Sequence, residues 1–311
     1  MGDIPSLFLV AFSVGIVIGL TGMGGGALMT PALIFLGVPP TTAVANDLVA
    51  ASVNKSVGAA VHWKSGSPNL QLVKWLLIGS IPFAFAGAFI IRAFGEDAAQ
   101  QSFLKLAIGV TLVITASTYV ARMYLELARG ILDDPEAPDP AIRPLPTLIV
   151  GAVGGLLVGI TSVGSGSLIM VSLVLLYPAL NAKRLVGTDL VQAIPLVVAA
   201  SVSHVIVNGI DWSVLIPLIL GGSPGTYLGA KLSGVVPQSV TRRGIAIVLT
   251  LTGLAMLGVN PVWVGIIGGG LVILGPVAWG LLRRAHGVPA FDHLPIGRGQ
   301  PADEDRSTSR L

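Results

Sequence analysis

Thr21-Gly22-Met23-Gly24-Gly25-Gly26 lies inside one long apolar run, and its reading decides how the chain folds. As a single helix, residues 7–37 would be about 46 Å long at about 1.5 Å per residue, against a hydrocarbon core of about 30 Å. Each half of the run, taken alone, is too short to cross. Glycine is costly inside a helix, so continuous helix through this hexapeptide is disfavoured. Two half-helices that enter and leave on one face, a re-entrant hairpin, reconcile length with composition. Such irregular backbone is tolerated at membrane depth only when it is buried in protein or lines a cavity.

The same stretch recurs. A shift of 140 residues places Gly15, Gly19, Thr21, Gly24, Gly26 and Leu28 on Gly155, Gly159, Thr161, Gly164, Gly166 and Leu168. A shift of 142 then matches Asp47-Leu48-Val49 with Asp189-Leu190-Val191, His62 with His204, and Gly79, Pro82, Gly87 and Ala88 with Gly221, Pro224, Gly229 and Ala230. Chance apolar similarity would align Leu and Val, not Asp, His, Pro and the glycine pattern in order. The chain is duplicated.

Composition assigns the class. Of 311 residues 53% are hydrophobic and 11% charged, whereas a water-exposed surface needs roughly 25% charged residues. The 40 glycines and 21 prolines suit transmembrane helices that pack closely or break. With no cysteine, disulfides, thiolate metal sites and thiol nucleophiles are excluded. The four histidines show no metal-ligand spacing, and no cofactor is expected. The net charge of +3 is spread between apolar blocks, so no nucleic-acid partner is implied. The N-terminus lacks the basic n-region of a cleavable signal peptide.

Apolar blocks run over 7–20, 25–37, 43–61, 71–92, 101–121, 147–160, 165–179, 185–207, 212–234, 240–258 and 261–282. Glu126 to Pro146 carries five acids and a run of prolines and reads as a linker outside the membrane. The expected organisation is a first transmembrane repeat over 1–122, a cytoplasmic linker over 123–146, a second repeat over 147–258, an extra transmembrane helix over 259–282 and a cytoplasmic tail over 283–311. The fold class is all-α integral membrane. Each half is a Gly-broken re-entrant hairpin plus three transmembrane helices, and three crossings invert the second copy. With loops 62–70, 122–146, 180–184 and 235–241 and the tail inside, 15 of 18 Lys/Arg lie in or beside cytoplasmic segments, against Arg92 and Lys105 outside and Lys55 within the membrane. That bias follows the positive-inside rule and puts the N-terminus outside.

The candidate chemistry lies at the breaks and on the block after the first. A helix that restarts at mid-membrane offers unpaired N–H groups and a positive dipole end, an anion site. Thr21, Gly24, Gly25, Gly26, Thr161, Ser162, Ser165 and Gly166 are expected to line it, glycines by close approach and hydroxyls by donation. The competing role for the glycines is helix packing. Lys55 lies mid-block, where a charge costs at least about 2.5 kcal/mol. It attracts an anion directly or pairs with Asp47 or Asp189; its counterpart in the second half is Val197. Asp47 and Asp189 stand near the start of equivalent spans and either cap free N–H groups or couple protons. His62 and His204, at the opposite ends of those spans, are interfacial hydrogen-bonders or proton relays.

Gly19-Leu20-Thr21-Gly22-Met23-Gly24-Gly25-Gly26 followed by Ala43-Val44-Ala45-Asn46-Asp47 resembles the TauE/SafE family of sulfite exporter-like proteins. Gly159 to Gly166, Val186-Gly187-Thr188-Asp189 and Gly221-Gly222-Ser223-Pro224-Gly225 look like the family's second repeat. The resemblance spans 7–258 and implies transport of sulfite, or of a sulfonate, across the bacterial inner membrane. The expected partners are a small anion and membrane lipid, with a homodimer left open. Two other classes compete. Intramembrane transferases need clustered carboxylates for metal-bound diphosphate, and no span carries an acid pair. A passive anion or solute channel shares the inverted architecture and is separated only by whether transport is concentrative.

Overall fold

The computed structural model describes residues 4–21, 26–62, 68–95, 97–129, 140–164, 166, 168–180, 182–233 and 238–285. Within them the secondary structure is helical: α1 (Ile4–Thr21), α2 (Gly26–Phe35), α3 (Pro40–His62), α4 (Leu70–Arg92), α5 (Asp97–Arg129), α6 (Pro144–Thr161), α7 (Leu168–Leu176), α8 (Ala182–Asn208), α9 (Trp212–Leu232), α10 (Gln238–Met256) and α11 (Pro261–Ala285). Local chemistry sets several ends. The Asn69 side chain accepts from the Leu72 amide (3.0 Å) at the start of α4, and Asp211 Oδ1 accepts from the Ser213 amide (3.0 Å) at the start of α9. Proline in the first turn opens α6.

Among the described residues, seven helices are long and apolar enough to cross a membrane: α1, α4, α5, α6, α8, α9 and α11. The chain is a multi-pass, all-α membrane protein. One expectation needs correcting. α1 and α6 each run 18 residues, about 27 Å at about 1.5 Å per residue, because they start before the apolar blocks, at Ile4 and Pro144. Only the second limbs, α2 with 10 residues and α7 with 9, are too short to span. α3 is not among the seven, since Asn46, Asp47, Asn54 and Lys55 interrupt its apolar character. α5 continues to Arg129, past the 122 boundary drawn from the sequence. Residues up to Gly269 form one compact unit, and Gly270 onward a second.

Within the first unit the packing repeats as the sequence does. α1 lies along α9, and α6, its counterpart, lies along α4, the counterpart of α9. Likewise α3 packs on α9 and α8 on α4, while α3 meets α8 and α5 meets α10. The duplicated glycines make the first two seams. A Cβ on Gly15 would sit 2.6 Å from the Gly222 carbonyl oxygen, one on Gly221 2.6 Å from that of Phe8, and one on Gly151 2.5 Å from that of Leu76. Gly19 abuts the backbone of Thr226, Gly155 that of Ser80, and Gly159 that of Ala84. Residue numbers rise together along both seams, so each pair runs parallel. Backbone meets backbone here, which only glycine permits. A buried apolar cluster joins Leu7 and Ala11 of α1 to Leu33 of α2, Val38 and Val214 of α9, as a hairpin of α1 and α2 requires.

Candidate functional site

α6 ends at the second glycine-rich break, and the manner of its ending builds the site. Ser162 takes the left-handed conformation (φ 61°), and its amide donates to the Val158 carbonyl (2.8 Å). The next amide, Val163 N–H, turns to the Thr161 hydroxyl (3.1 Å) instead of a helical carbonyl. The Gly159 carbonyl is thereby left without its helical donor, and His204 Nε2 supplies one at 2.6 Å. A carbonyl can only accept, so Nε2 carries the hydrogen, and Nδ1 accepts from Asn208 Nδ2 (3.1 Å). His204 is fully buried within the protein. It holds the C-terminal turn of the broken helix against α8. The backbone of His62 closes α3, but its side chain is outside the described residues.

Ser162 also faces the first half. Its hydroxyl donates to Asp47 Oδ2 at 2.8 Å, and the same oxygen accepts from the Thr30 hydroxyl of α2 at 2.5 Å. Asp47 is 2% exposed and lies in the second turn of α3, too far inside for the capping role its place in the sequence suggested. The helix starts earlier than the apolar block does, at Pro40. Asp189 lies equally deep in α8 and accepts from Gln192 on its own helix (3.3 Å). Gly26, at the start of α2, packs directly on the Ser162 backbone, so the two breaks meet at Gly26 and Ser162.

Lys55 is half-buried on α3, and both acids act on it electrostatically, Asp189 more strongly than Asp47. Asp189 also feels Arg122 of α5. Two turns past Asp47, Asn54 Oδ1 accepts from the Ser223 hydroxyl of α9 (2.7 Å), adding a neutral tie between the halves.

The other residues expected at the breaks divide. Thr21 and Thr161 donate their hydroxyls back into their own helices, to the carbonyls of Val17 and Leu157 (2.7 Å each). Gly166 lies in the turn before α7, next to Gly164 with φ 105°. Gly24, Gly25 and Ser165 lie outside the described residues. Thr30 was not singled out from sequence, although it is the one hydroxyl in α2 and so the only side-chain donor that segment has.

The arrangement is a polar junction of two duplicated halves, where Lys55 and two buried carboxylates come together inside a membrane protein. Comparison with known proteins decides the family, for the profile described as "Sulfite exporter TauE/SafE" matches residues 7–256. The chain belongs to the TauE/SafE family. It is similar to "Probable membrane transporter protein YjnA" of Bacillus subtilis, 36% identical over 253 residues, covering 81% of this chain and 99% of that one. YdhB of the same organism, also named a membrane transporter protein, is 26% identical over 252 residues with the same coverage. MJ0441 of Methanocaldococcus jannaschii, named likewise, is 27% identical over 272 residues, 82% of this chain and 95% of that one. No solved structure matches the chain. The family match ends at Met256, before α11, so the eleventh helix lies beyond the shared unit. The function of this TauE/SafE member is membrane transport.

Proposed function

We propose that the chain is a secondary transporter of a small oxyanion, sulfite or a short organosulfonate, across the bacterial inner membrane, using inverted halves to expose one central site to either side. The observation that carries this reading is the meeting of the two helix breaks at Gly26 and Ser162, against the α3 helix that also carries the half-buried Lys55. The short helices α2 and α7 start at the breaks, where their first N–H groups and positive dipole ends favour the same anion. The family supplies the chemical class, for its description names sulfite. Parallel seams of α1 with α9 and α4 with α6 are what oppositely oriented halves require.

Function and topology are tested separately. In proteoliposomes preloaded with unlabelled sulfite, labelled sulfite should accumulate transiently above equilibrium, with weaker competition from sulfate and thiosulfate than from short sulfonates. A channel would only equilibrate the label, and that result would replace the transporter reading. For topology, the absence of native cysteine allows clean single labels. Ser65→Cys and Ser213→Cys should react with a membrane-impermeant maleimide from opposite faces, Ser65 from the cytoplasm. Labelling of both from one face would end the inverted arrangement.

A further inference from the structure

The duplication is broken where the two carboxylates find their partners. By the 140-residue shift that aligns the hairpins, Thr30 corresponds to Met170 and Ser162 to Gly22. Neither Met170 nor Gly22 can donate a hydroxyl, so the pair that holds Asp47 has no counterpart at Asp189. Conversely, Lys55 corresponds to Val197, and Asp189 is the acid that acts on Lys55 most strongly. Lys55 thus acts on both acids, and Asp47 in addition accepts from two neutral hydroxyls, one from each half of the molecule.

We propose, resting on the anion-transport reading above, that Asp47 is the site of a coupled proton, and that proton and anion move together. As a carboxylate, Asp47 Oδ2 accepts from both Thr30 and Ser162. With the proton on Oδ2, that oxygen becomes a donor with one acceptor position left, so one of the two hydroxyls turns its hydrogen elsewhere. Ser162 is the one under load. A serine at φ 61° is strained relative to glycine, and its bond to Asp47 offsets that strain. Release of Ser162 frees the C-terminal turn of α6 from α3 and α2 and gives the anion a hydroxyl donor beside Lys55's half of the junction. One proton enters with one anion, and both leave on the far side when Asp47 regains Ser162.

The charges around Asp47 are few. Lys55 acts on it from its own helix, and α8 brings Asp189, itself answered by Lys55 and by Arg122 of α5. α2 and α6 carry no ionisable side chain. α9 meets α3 through Ser223 and Asn54, while its Asp211 caps its own first turn and its Lys231 lies over Tyr227. His204 of α8 has both ring nitrogens engaged.

Two measurements decide the proposal, one of which needs no substrate. Infrared difference spectra of the purified wild-type protein between acid and neutral pH should contain a protonated-carboxyl band that Asp47→Asn removes and Asp189→Asn keeps. Ser162→Ala should keep the band but move its frequency, since that carboxyl loses a hydrogen-bond partner. A band that survives Asp47→Asn, or disappears only with Asp189→Asn, overturns the proposal even if every variant folds. In proteoliposomes with labelled sulfite, the ratio of uptake driven by an imposed pH gradient to uptake by counterflow should fall at least tenfold in Asp47→Asn. An unchanged ratio also overturns it. If the wild type carries no sulfite in either assay, the substrate reading fails, and the infrared arm still judges Asp47.

Discussion

Gly159→Leu is expected to destabilise the protein by about 3 kcal/mol or more, the upper part of the range for overpacking a dense interior. The added Cβ would meet the Ala84 backbone, and the Ala84 carbonyl carbon and Cα lie only 2.9 Å from its ideal position. Backbone inside a packed helix pair cannot swing aside as a side-chain end can, so α4 and α6 must separate. Separation also pulls the Gly159 carbonyl away from His204, leaving a buried acceptor and a buried imidazole unpaired. Gly265→Leu is the control. Nothing lies within 4 Å of a Cβ there, and leucine is the better helix former, so stability should stay within about 0.5 kcal/mol of wild type. The measurement is thermal unfolding of both variants in detergent, with monodispersity by size exclusion. If Gly159→Leu melts with wild type, the α4–α6 seam is looser than its backbone contacts imply.

The second large effect concerns Lys55. Lys55→Gln should lower stability by about 1–3 kcal/mol, between the values for exposed and for buried charge pairs, because Lys55 is half-buried. The loss arises at Asp189, the acid Lys55 serves most strongly, which then keeps the Gln192 amide and the charge of Arg122. Asp189→Asn in the same chain should therefore recover most of the stability. Asp47→Asn should recover much less, since Thr30 and Ser162 continue to donate to Asp47 when Lys55 is gone. Affinity for labelled sulfite, measured on the same three proteins, should drop by about 1.5–3 kcal/mol wherever Lys55 is absent, the worth of a hydrogen bond to a charged group. Equal rescue by the two asparagines would mean that Lys55 does not distinguish the carboxylates. Unchanged affinity would remove Lys55 from the anion site and leave the helix starts as its only donors.

Much of this was legible before any coordinates. Transfer energetics alone make a chain with 11% charged residues and repeated apolar blocks a membrane protein. The two offsets, 140 and 142, identified the halves that later packed as counterparts, because a duplicated sequence carries duplicated seams. The breaks at Thr21–Gly26 and Thr161–Gly166 fall where the helices stop, since the backbone cost of glycine is a local quantity. Even the polar character of α3, with Asn46, Asp47, Asn54 and Lys55, could be read directly.

What the sequence could not say is which groups meet. Gly26 is expected from sequence either to let a ligand approach or to let helices pack, and it faces the Ser162 backbone, as Gly15, Gly19, Gly155 and Gly159 face backbone of their own neighbours. For Asp47 the sequence context, a helix start, suggests a cap or a proton-coupling group. Its actual partner Ser162 is 115 residues away, and His204 reaches a carbonyl 45 residues away. Helix period and hydropathy report how each segment meets water or lipid, which depends on that segment alone. A hydrogen bond between halves depends on the rotation and depth of two packed helices, and those are set by the glycine seams elsewhere in the fold. Thus the class, the repeat and the breaks belong to the sequence, whereas the pairing of Asp47 with hydroxyls and of Asp189 with Lys55 exists only once α1 has closed on α9 and α6 on α4.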